Sequence, residues 1–575
     1  MKNRVSKFIL LVAFSSFSLI ACSVLRKSSQ AQTETAQTET AKKKGPNIVL
    51  LMADDMGYSD VGAFGSEIPT PNIDSLAKGG MKLTNFHGGA ACSPSRAMLL
   101  SGVDNHQAGL GSMGEDLTDR QKGKPGYEGR LNDRVVSVAT VLKDAGYHTY
   151  MIGKWHLGHD AAHVPAGRGF EESFALIDGA ANHMNQRGYS PGKPVATYNS
   201  NGKNVNLPQN FFSADFYTNK LIENINKNRG DGKPFFIYAA YTSPHDPLQA
   251  PQQYIKKHMG KYDIGWDRIR EQRFQRQKQL GIIPSNLQFP PRAEGVPAWN
   301  SLTPEQRRYN SKLMAIYAGM VDNLDSNIGR LITHLKSIGE YENTIFVFIS
   351  DNGAAAHNFS KGHKEFEDWF KKEKIDNSYE NIGNTNSFVS YGGGWADTSA
   401  TPFFGFKGRV YEGGIRIPAI FYHPGAIKQG AQSAAFASVM DMMPTFLDYA
   451  GAQHPGTSYQ GNPIIPMQGR SLRPLLEGTA TRIYGDNDPI GFELFGDGNR
   501  ALFLGDWKVT KINKPYGDNK WKLFNITQDP RELVDLSKQY PDQLNKMMAL
   551  YKQYEKDKGV VYRSDNEDEV FDMGL

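Results

Sequence analysis

Five short apolar runs recur along the chain, each bounded by turn formers or acids. Asn47–Ala53 (NIVLLMA) sits between Gly45-Pro46 and Asp54-Asp55 and reads as a buried strand. His148–Gly153, Phe235–Tyr241, Thr344–Ser350 and Ile415–Tyr422 have the same character. Three of them follow helical stretches, at Ser137–Ala145, Asp215–Lys227 and Pro304–Ile338. Strands alternating with helices predict βαβ units and a mainly parallel sheet. Pro304–Ile338 is the clearest helix: Leu313, Ile316, Met320, Leu324, Ile328 and Leu331 recur at three- and four-residue intervals along one face. Thr303-Pro304-Glu305-Gln306 supplies a capping box with proline at the first helical position. This is a core helix without chemistry of its own.

Past about residue 450 the pattern changes. Ala501–Lys511 and Lys520–Asn525 read as short strands around the turn at 514–518, and Asp529–Leu536 leads into a helix near Asp542–Lys556. Residues 45–450 are therefore taken as one domain and 451–575 as a C-terminal subdomain holding a small antiparallel sheet with a helix. Residues 246–302, rich in Pro, Gln and Arg, read as an insertion over one end of the main sheet. The basic run Arg268–Lys278 has acidic neighbours and reads as a solvated helix face.

The N-terminus differs from the rest. Lys2, Arg4 and Lys7 precede an apolar segment, Phe8–Ile20, of 13 residues. A spanning helix needs about 20 residues, so residues 1–21 read as a signal peptide. The segment ends in Leu19-Ile20-Ala21-Cys22, which resembles a bacterial lipobox and implies lipidation of Cys22. Several acyl chains, at about 0.8 kcal/mol per buried CH₂, would anchor the chain to a membrane. Residues 22–44 are polar, with Ala-Gln-Thr-Glu-Thr in tandem at 31–35 and 36–40, and read as a disordered tether. An exported protein on an outer-membrane or periplasmic face is expected. Without residues 1–21 the balance is 62 basic against 60 acidic residues. Nothing in that charge favours a nucleic-acid partner. There are two cysteines, Cys22 and Cys92. No disulfide framework is available, and once Cys22 carries lipid, Cys92 is a lone cysteine that invites a chemical explanation.

Ligands of open α/β sheets bind at the carboxyl ends of strands. The predicted strands run into Asp54-Asp55, Lys154-Trp155-His156, Thr242-Ser243-Pro244-His245 and Asp351-Asn352-Gly353. Crowded carboxylates repel unless a cation lies between them. Asp54, Asp55, Asp351 and Asn352 offer oxygen only, which favours Ca²⁺ or Mg²⁺ over zinc or copper. In Cys92-Ser93-Pro94-Ser95-Arg96 a helix is expected to begin near Ser95, its N-terminus favouring an anion, with Arg96 placed to pair with an anionic group.

Cys92-x-Pro94-x-Arg96 with Gly102 six residues on resembles the signature of type I sulfatases, whose cysteine is oxidised to formylglycine. Gly146-Tyr147-x-Thr149-x-x-Ile152-Gly153-Lys154-Trp155-His156 resembles the second signature of that family. Lys407, in Phe406-Lys407-Gly408, also stands where the family places a lysine. The resemblance covers roughly residues 45–540. Tyr262-Asp263-x-Gly265-Trp266-Asp267 and Tyr391-Gly392-Gly393-Gly394-Trp395-Ala396 look like the bacterial Ca²⁺-dependent arylsulfatase branch. Ala91 and Ser101 depart from the usual pattern without touching Cys-x-Pro-x-Arg.

The resemblance implies an alkaline-phosphatase-like α/β fold: a large mixed, mainly parallel sheet flanked by helices, plus the smaller C-terminal sheet. It implies a hydrolase of sulfate esters and a transient partner that makes formylglycine from Cys92. One cation, Ca²⁺ rather than Mg²⁺, would be held by Asp54, Asp55, Asp351, Asn352 and an oxygen of residue 92. Lys154 and Lys407 would bind sulfate oxygens and Arg96 would orient residue 92. His245 would protonate the leaving alcohol, and His156 would act as the base that frees sulfate. His357, His363 and His423 read as loop or core histidines, and Trp395 as a packed aromatic. Two rivals stand beside this: a phosphonate monoester or phosphodiester hydrolase of the same fold, and a non-catalytic lipoprotein that binds sulfated glycans.

Overall fold

The computed structural model describes residues 45–357, 359, 364–514 and 516–564. The signal peptide, Cys22, the tether and His363 lie outside the described residues. No helix among the described residues is long and apolar enough to cross a membrane.

Asn47–Ala53 is buried at every position because both of its faces are covered. Val49, Leu51 and Ala53 enter one apolar cluster and Ile48, Leu50 and Met52 the other. This strand lies at the centre of an 11-stranded sheet. It pairs in parallel with Thr344–Ser350 on one side and Phe235–Ala240 on the other. His148–Lys154 and Glu172–Leu176 continue the parallel run. Antiparallel strands finish both flanks: Tyr198–Ser200 and Lys203–Val205 at one end, Arg416–Tyr422 and Met81–His87 toward the other. The mixed, mainly parallel sheet flanked by helices is thus present.

One cluster is covered by Pro71–Gly79, Ser213–Lys227 and Pro304–Ser337. The long helix carries the expected capping box: Gln306 N–H donates to Thr303 Oγ1 at 3.2 Å, and Thr303 N–H donates to Gln306 Oε1 at 2.9 Å. The opposite face is covered by Cys92–Ser101, Val138–Asp144 and Met442–Ala450.

Several elements differ from expectation. Ile415 closes a one-turn helix, Glu412–Ile415, and the strand after it runs antiparallel to Thr344–Ser350. Its beginning therefore lies at the edge where the parallel strands end. Ala501–Lys511 is two strands, Asn499–Leu504 and Trp507–Lys511, folded about Gly505 at φ 56°. With Ile490–Leu494 and Lys522–Asn525 they form a four-stranded antiparallel sheet, backed by the helix Pro541–Lys558. The basic run at 268–278 is only partly solvated. Arg270, Arg273 and Gln277 of the helix Trp266–Gln279 are buried. Arg273 pairs with Asp60 at 2.6 Å and with Glu67 at 2.8 Å. Burying a guanidinium is tolerated only with such partners. Trp395 is fully buried and packs edge-on against Tyr262, Trp266 and Trp299.

Candidate active site

The parallel strands end in step. Ala53 is opposite Ser350, and Met52 and Gly153 are both opposite Ala240. The residues that follow therefore emerge at one level. Gly153, at φ 95°, has no room for a side chain: a Cβ there would lie 1.8 Å from the Ala240 carbonyl oxygen. That close approach sets where Lys154 leaves the sheet. Lys407 comes from the opposite direction, in the segment that leads into antiparallel Arg416–Tyr422. Its backbone N–H donates to the Ala354 carbonyl at 2.9 Å.

Cys92 is the first residue of the helix Cys92–Ser101. The helix begins three residues earlier than expected, because Pro94 lies in the first turn, where the missing N–H costs nothing. The whole helix is buried, and its positive end points at the strand termini.

Three acids and three bases interleave around Cys92. Lys154 Nζ donates to both oxygens of Asp54, at 2.9 and 3.0 Å. Lys407 Nζ donates to both oxygens of Asp55, at 2.8 Å each, and approaches Cys92 Sγ at 3.2 Å. Arg96 donates twice to Asp351 Oδ2 and once to the Lys154 carbonyl, at 2.9 Å. Asp351 Oδ1 accepts the backbone N–H groups of Asp55 and Asn352, at 3.1 and 3.0 Å. Burial pushes the Asp351 carboxyl up, but Arg96, Lys154 and Lys407 outweigh it and hold it well below the usual range. Burial pushes the Cys92 thiol up, against the pull of Lys154 and Lys407, so the thiol is held neutral.

Donor atoms of Asp54, Asp55, Cys92 and His245 lie within 4.8 Å of one another. Asn352 donates from Nδ2 to Asp55 Oδ1 at 2.7 Å, while its Oδ1 is buried without a partner among the described residues. Two adjacent carboxylates and an orphaned amide oxygen suit a hard cation. Sγ of Cys92 has only long contacts to Asp54 and Asp55, at 3.8 and 3.7 Å. Ringed by ammonium and carboxylate groups, position 92 suits an oxygen better than sulfur, a weak donor and acceptor.

A cavity of about 1080 Å³ opens over this centre, lined by Cys92, Lys154, His156, His245 and Lys407 among others. The expected site residues are thus gathered at one place, with Asp54, Asp55, Asp351 and Asn352 beneath it. Four further residues were not anticipated. Glu115 accepts from His156 Nε2 at 2.8 Å. Asp246 is buried: its backbone carbonyl accepts from His245 Nδ1 at 2.6 Å, and its carboxylate lies 3.1 Å from the same nitrogen and 2.9 Å from His357 Nδ1 and accepts from Tyr189 Oη at 2.6 Å. Burial raises the Asp246 carboxyl, but His357 and His245 outweigh it and keep it ionised. His357, read from sequence as a loop or core histidine, lines the cavity with Tyr189. Asp246 had one sequence signal, its place beside His245. Glu115 had none, being 41 residues from His156. His423 lies elsewhere, against Tyr449.

A parallel α/β sheet that gathers a helix N-terminus, paired acids and two lysines over one cysteine defines a hydrolase of anionic esters. The chain belongs to the sulfatase family: the Sulfatase family model matches residues 46–452, and the model "N-sulphoglucosamine sulphohydrolase, C-terminal" matches 403–557. It is therefore a sulfuric ester hydrolase. An uncharacterized sulfatase of Schizosaccharomyces pombe is 43% identical over 541 residues, covering 92% of this chain and 96% of the relative. The arylsulfatase of Klebsiella aerogenes is 40% identical over 442 residues, covering 75% and 92%. Among solved structures, Ps i-CgsB in complex with k-i-k-neocarrahexaose superposes with a TM-score of 0.63 at 25% identity, covering 91% of this chain and 96% of the other. Phosphonate monoester hydrolase of Agrobacterium radiobacter, at 17% identity and a TM-score of 0.53, shares the fold.

Proposed function

We propose that this sulfatase is of the arylsulfatase type, that Cys92 is converted to formylglycine, and that one Ca²⁺ completes the site. The observation that carries it is the crowding of Lys407, Asp54 and Asp55 around Cys92 at a helix N-terminus, beneath a cavity lined by His156 and His245. The 40% identity to an arylsulfatase supports the substrate class. Asp54, Asp55, Asp351 and Asn352 would hold the cation, and hard oxygen donors suit Ca²⁺. The cation and formylglycine together supply a polarised sulfate and a nucleophilic oxygen at position 92.

The chain's own residues do the rest. Lys154 and Lys407 bind sulfate oxygens and stabilise the charge that develops on them. Arg96 locks Asp351 in place. His245, held at Nδ1 by Asp246, gives a proton from Nε2 to the leaving oxygen. His156 takes a proton in the later step that frees sulfate, so acid and base roles fall to different histidines. The lipobox at Cys22 supports an exported chain held to a membrane by lipid, with the globule carried on the 22–44 tether.

The test is mass spectrometry of the Cys92 peptide from a host that makes formylglycine, with 4-nitrophenyl sulfate hydrolysis measured alongside. A loss of about 18 Da, the change that turns the thiol into an aldehyde, is expected. Activity should vanish in Cys92→Ala, fall on chelation and return with Ca²⁺. An unmodified Cys92 in active enzyme, or recovery with Mg²⁺ but not Ca²⁺, would overturn the corresponding part. Incorporation of labelled fatty acid, lost in Cys22→Ser, tests the anchor.

A further inference from the structure

His156 is held in an unusual way. It follows the end of His148–Lys154 and stands at φ 56°, a left-handed conformation that non-glycine residues rarely adopt. Such backbone persists where its surroundings over-determine it, and it clusters at active sites. Two neighbours fix the ring. A Cβ at position 179 would come within 2.7 Å of His156 Cε1 and 2.9 Å of Nε2, so the imidazole lies where only Gly179 leaves room. Glu115 Oε1 sits 2.8 Å from Nε2. The remaining ring nitrogen, Nδ1, is buried without a hydrogen-bond partner among the described residues, in a residue only 8% exposed that lines the cavity over Cys92.

We propose that Glu115 is a positioning residue for His156: it holds the imidazole in the Nε2–H tautomer, so that Nδ1 presents its lone pair to the reacting centre. This rests on His156 being the base of the proposed function. An ionised carboxylate accepts hydrogen bonds and cannot donate, so the proton of the neutral ring belongs on Nε2. Nδ1 is then an acceptor. Leaving a buried acceptor unpaired costs free energy, and a site bears that cost where the group awaits a proton from substrate chemistry. When Nδ1 takes that proton, the ring becomes an imidazolium with an N–H on each nitrogen. Its positive charge forms against the Glu115 carboxylate, and the proton leaves to water as product departs.

Two measurements on the intact enzyme test this. In ¹⁵N NMR of the histidine side chains, with Glu115 ionised and His156 assigned through His156→Gln, the neutral ring should show the Nε2–H tautomer. Glu115→Gln, whose amide can donate as well as accept, should lose that preference. In steady-state kinetics Glu115→Gln should lower kcat at least about 10-fold, within the 10²–10⁴ that a general base supplies, and move KM less than about 3-fold. Glu115→Asp keeps the charge and should recover part of kcat. The Glu115 side chain is 55% exposed, so neither variant threatens folding. An Nδ1–H tautomer in the wild type, an unchanged tautomer in Glu115→Gln, or a rise in KM with kcat intact would each overturn the proposal. A wild-type enzyme inactive on every sulfate ester would sink the proposed function, while the tautomer would still decide the role of Glu115.

Discussion

Arg96 and Asp351 are joined through a single oxygen: Nε and Nη2 of the guanidinium both donate to Asp351 Oδ2, at 3.0 and 2.8 Å, and neither side chain is exposed. The pair ties the second turn of the helix Cys92–Ser101 to the residue that follows Thr344–Ser350. It holds Cys92 and the Asp351-Asn352 pair in one frame.

Arg96→Ala should therefore cost about 3–5 kcal/mol, the range for removing one partner of a buried pair. Arg96→Lys should recover less than half of it, because an ammonium cannot reach Asp351 and the Lys154 carbonyl as a planar fork does. Urea unfolding reads both. A loss below about 1 kcal/mol, the scale of an exposed pair, would show that the bond does not fasten the frame.

Asp246→Asn should weaken the hold on His357 and remove the negative charge 3.1 Å from His245 Nδ1, which keeps its hydrogen bond to the backbone carbonyl of residue 246. kcat should fall, by up to the 10²–10⁴ that a general acid supplies. The loss should be larger for an alkyl sulfate than for 4-nitrophenyl sulfate, whose leaving group needs little protonation. Equal losses on both substrates would remove Asp246 from acid catalysis.

Stability should fall in mild alkali through a group that does not line the cavity over Cys92. His106 is buried between Asp104, at 3.0 Å from Nδ1, and Glu493, at 3.2 Å from Nε2. Burial lowers its pKa, but the hydrogen bonds and charges of both acids prevail and raise it from 6.5 to about 9. A raised folded-state value contributes stability that is fully present below pH 6.5. It is lost progressively as pH climbs through about 9. Tm should decline across that window in the wild type and much less in His106→Asn. Parallel declines would assign the alkaline loss to other groups.

Gly153→Ala should destabilise by about 2–5 kcal/mol, combining backbone strain with a forced shift of a neighbouring strand. It should also impair turnover in the molecules that still fold, since Lys154 leaves the sheet at the next residue. Wild-type Tm and kcat in this variant would refute the close packing of residue 153 on the Ala240 carbonyl.

Much of the site was legible because its chemistry lies at the ends of apolar runs. A run such as NIVLLMA, seven residues between turn formers and acids, reads as a strand covered on both faces, and Asp54-Asp55 then emerges at an edge. The same reasoning placed Lys154, His156, His245, Asp351 and Asn352. Local propensity also foretold the long helix, since its capping box and apolar spacing need no distant partner. Met81–His87 was harder to see, because Lys82, Thr84 and Asn85 interrupt its apolar residues and its burial comes from Arg416–Tyr422 and two later strands. Strand direction is likewise not written in a single run, so Arg416–Tyr422 could not be read as antiparallel. Charge misled at Arg273, whose partners Asp60 and Glu67 are far away in sequence.

The sequence alone thus determined which residue types stand at the strand ends and that a lone cysteine precedes a helix, expected to begin near Ser95; that Cys92 itself opens it came from the structure. Tertiary structure decided what those residues face. Glu115 behind His156, Asp246 against His357 and Gly179 beneath an imidazole are contacts between segments with no common periodicity. Hydrogen bonds of 2.8 Å depend on how loops cross the sheet edge, and packing of the whole sheet sets that crossing.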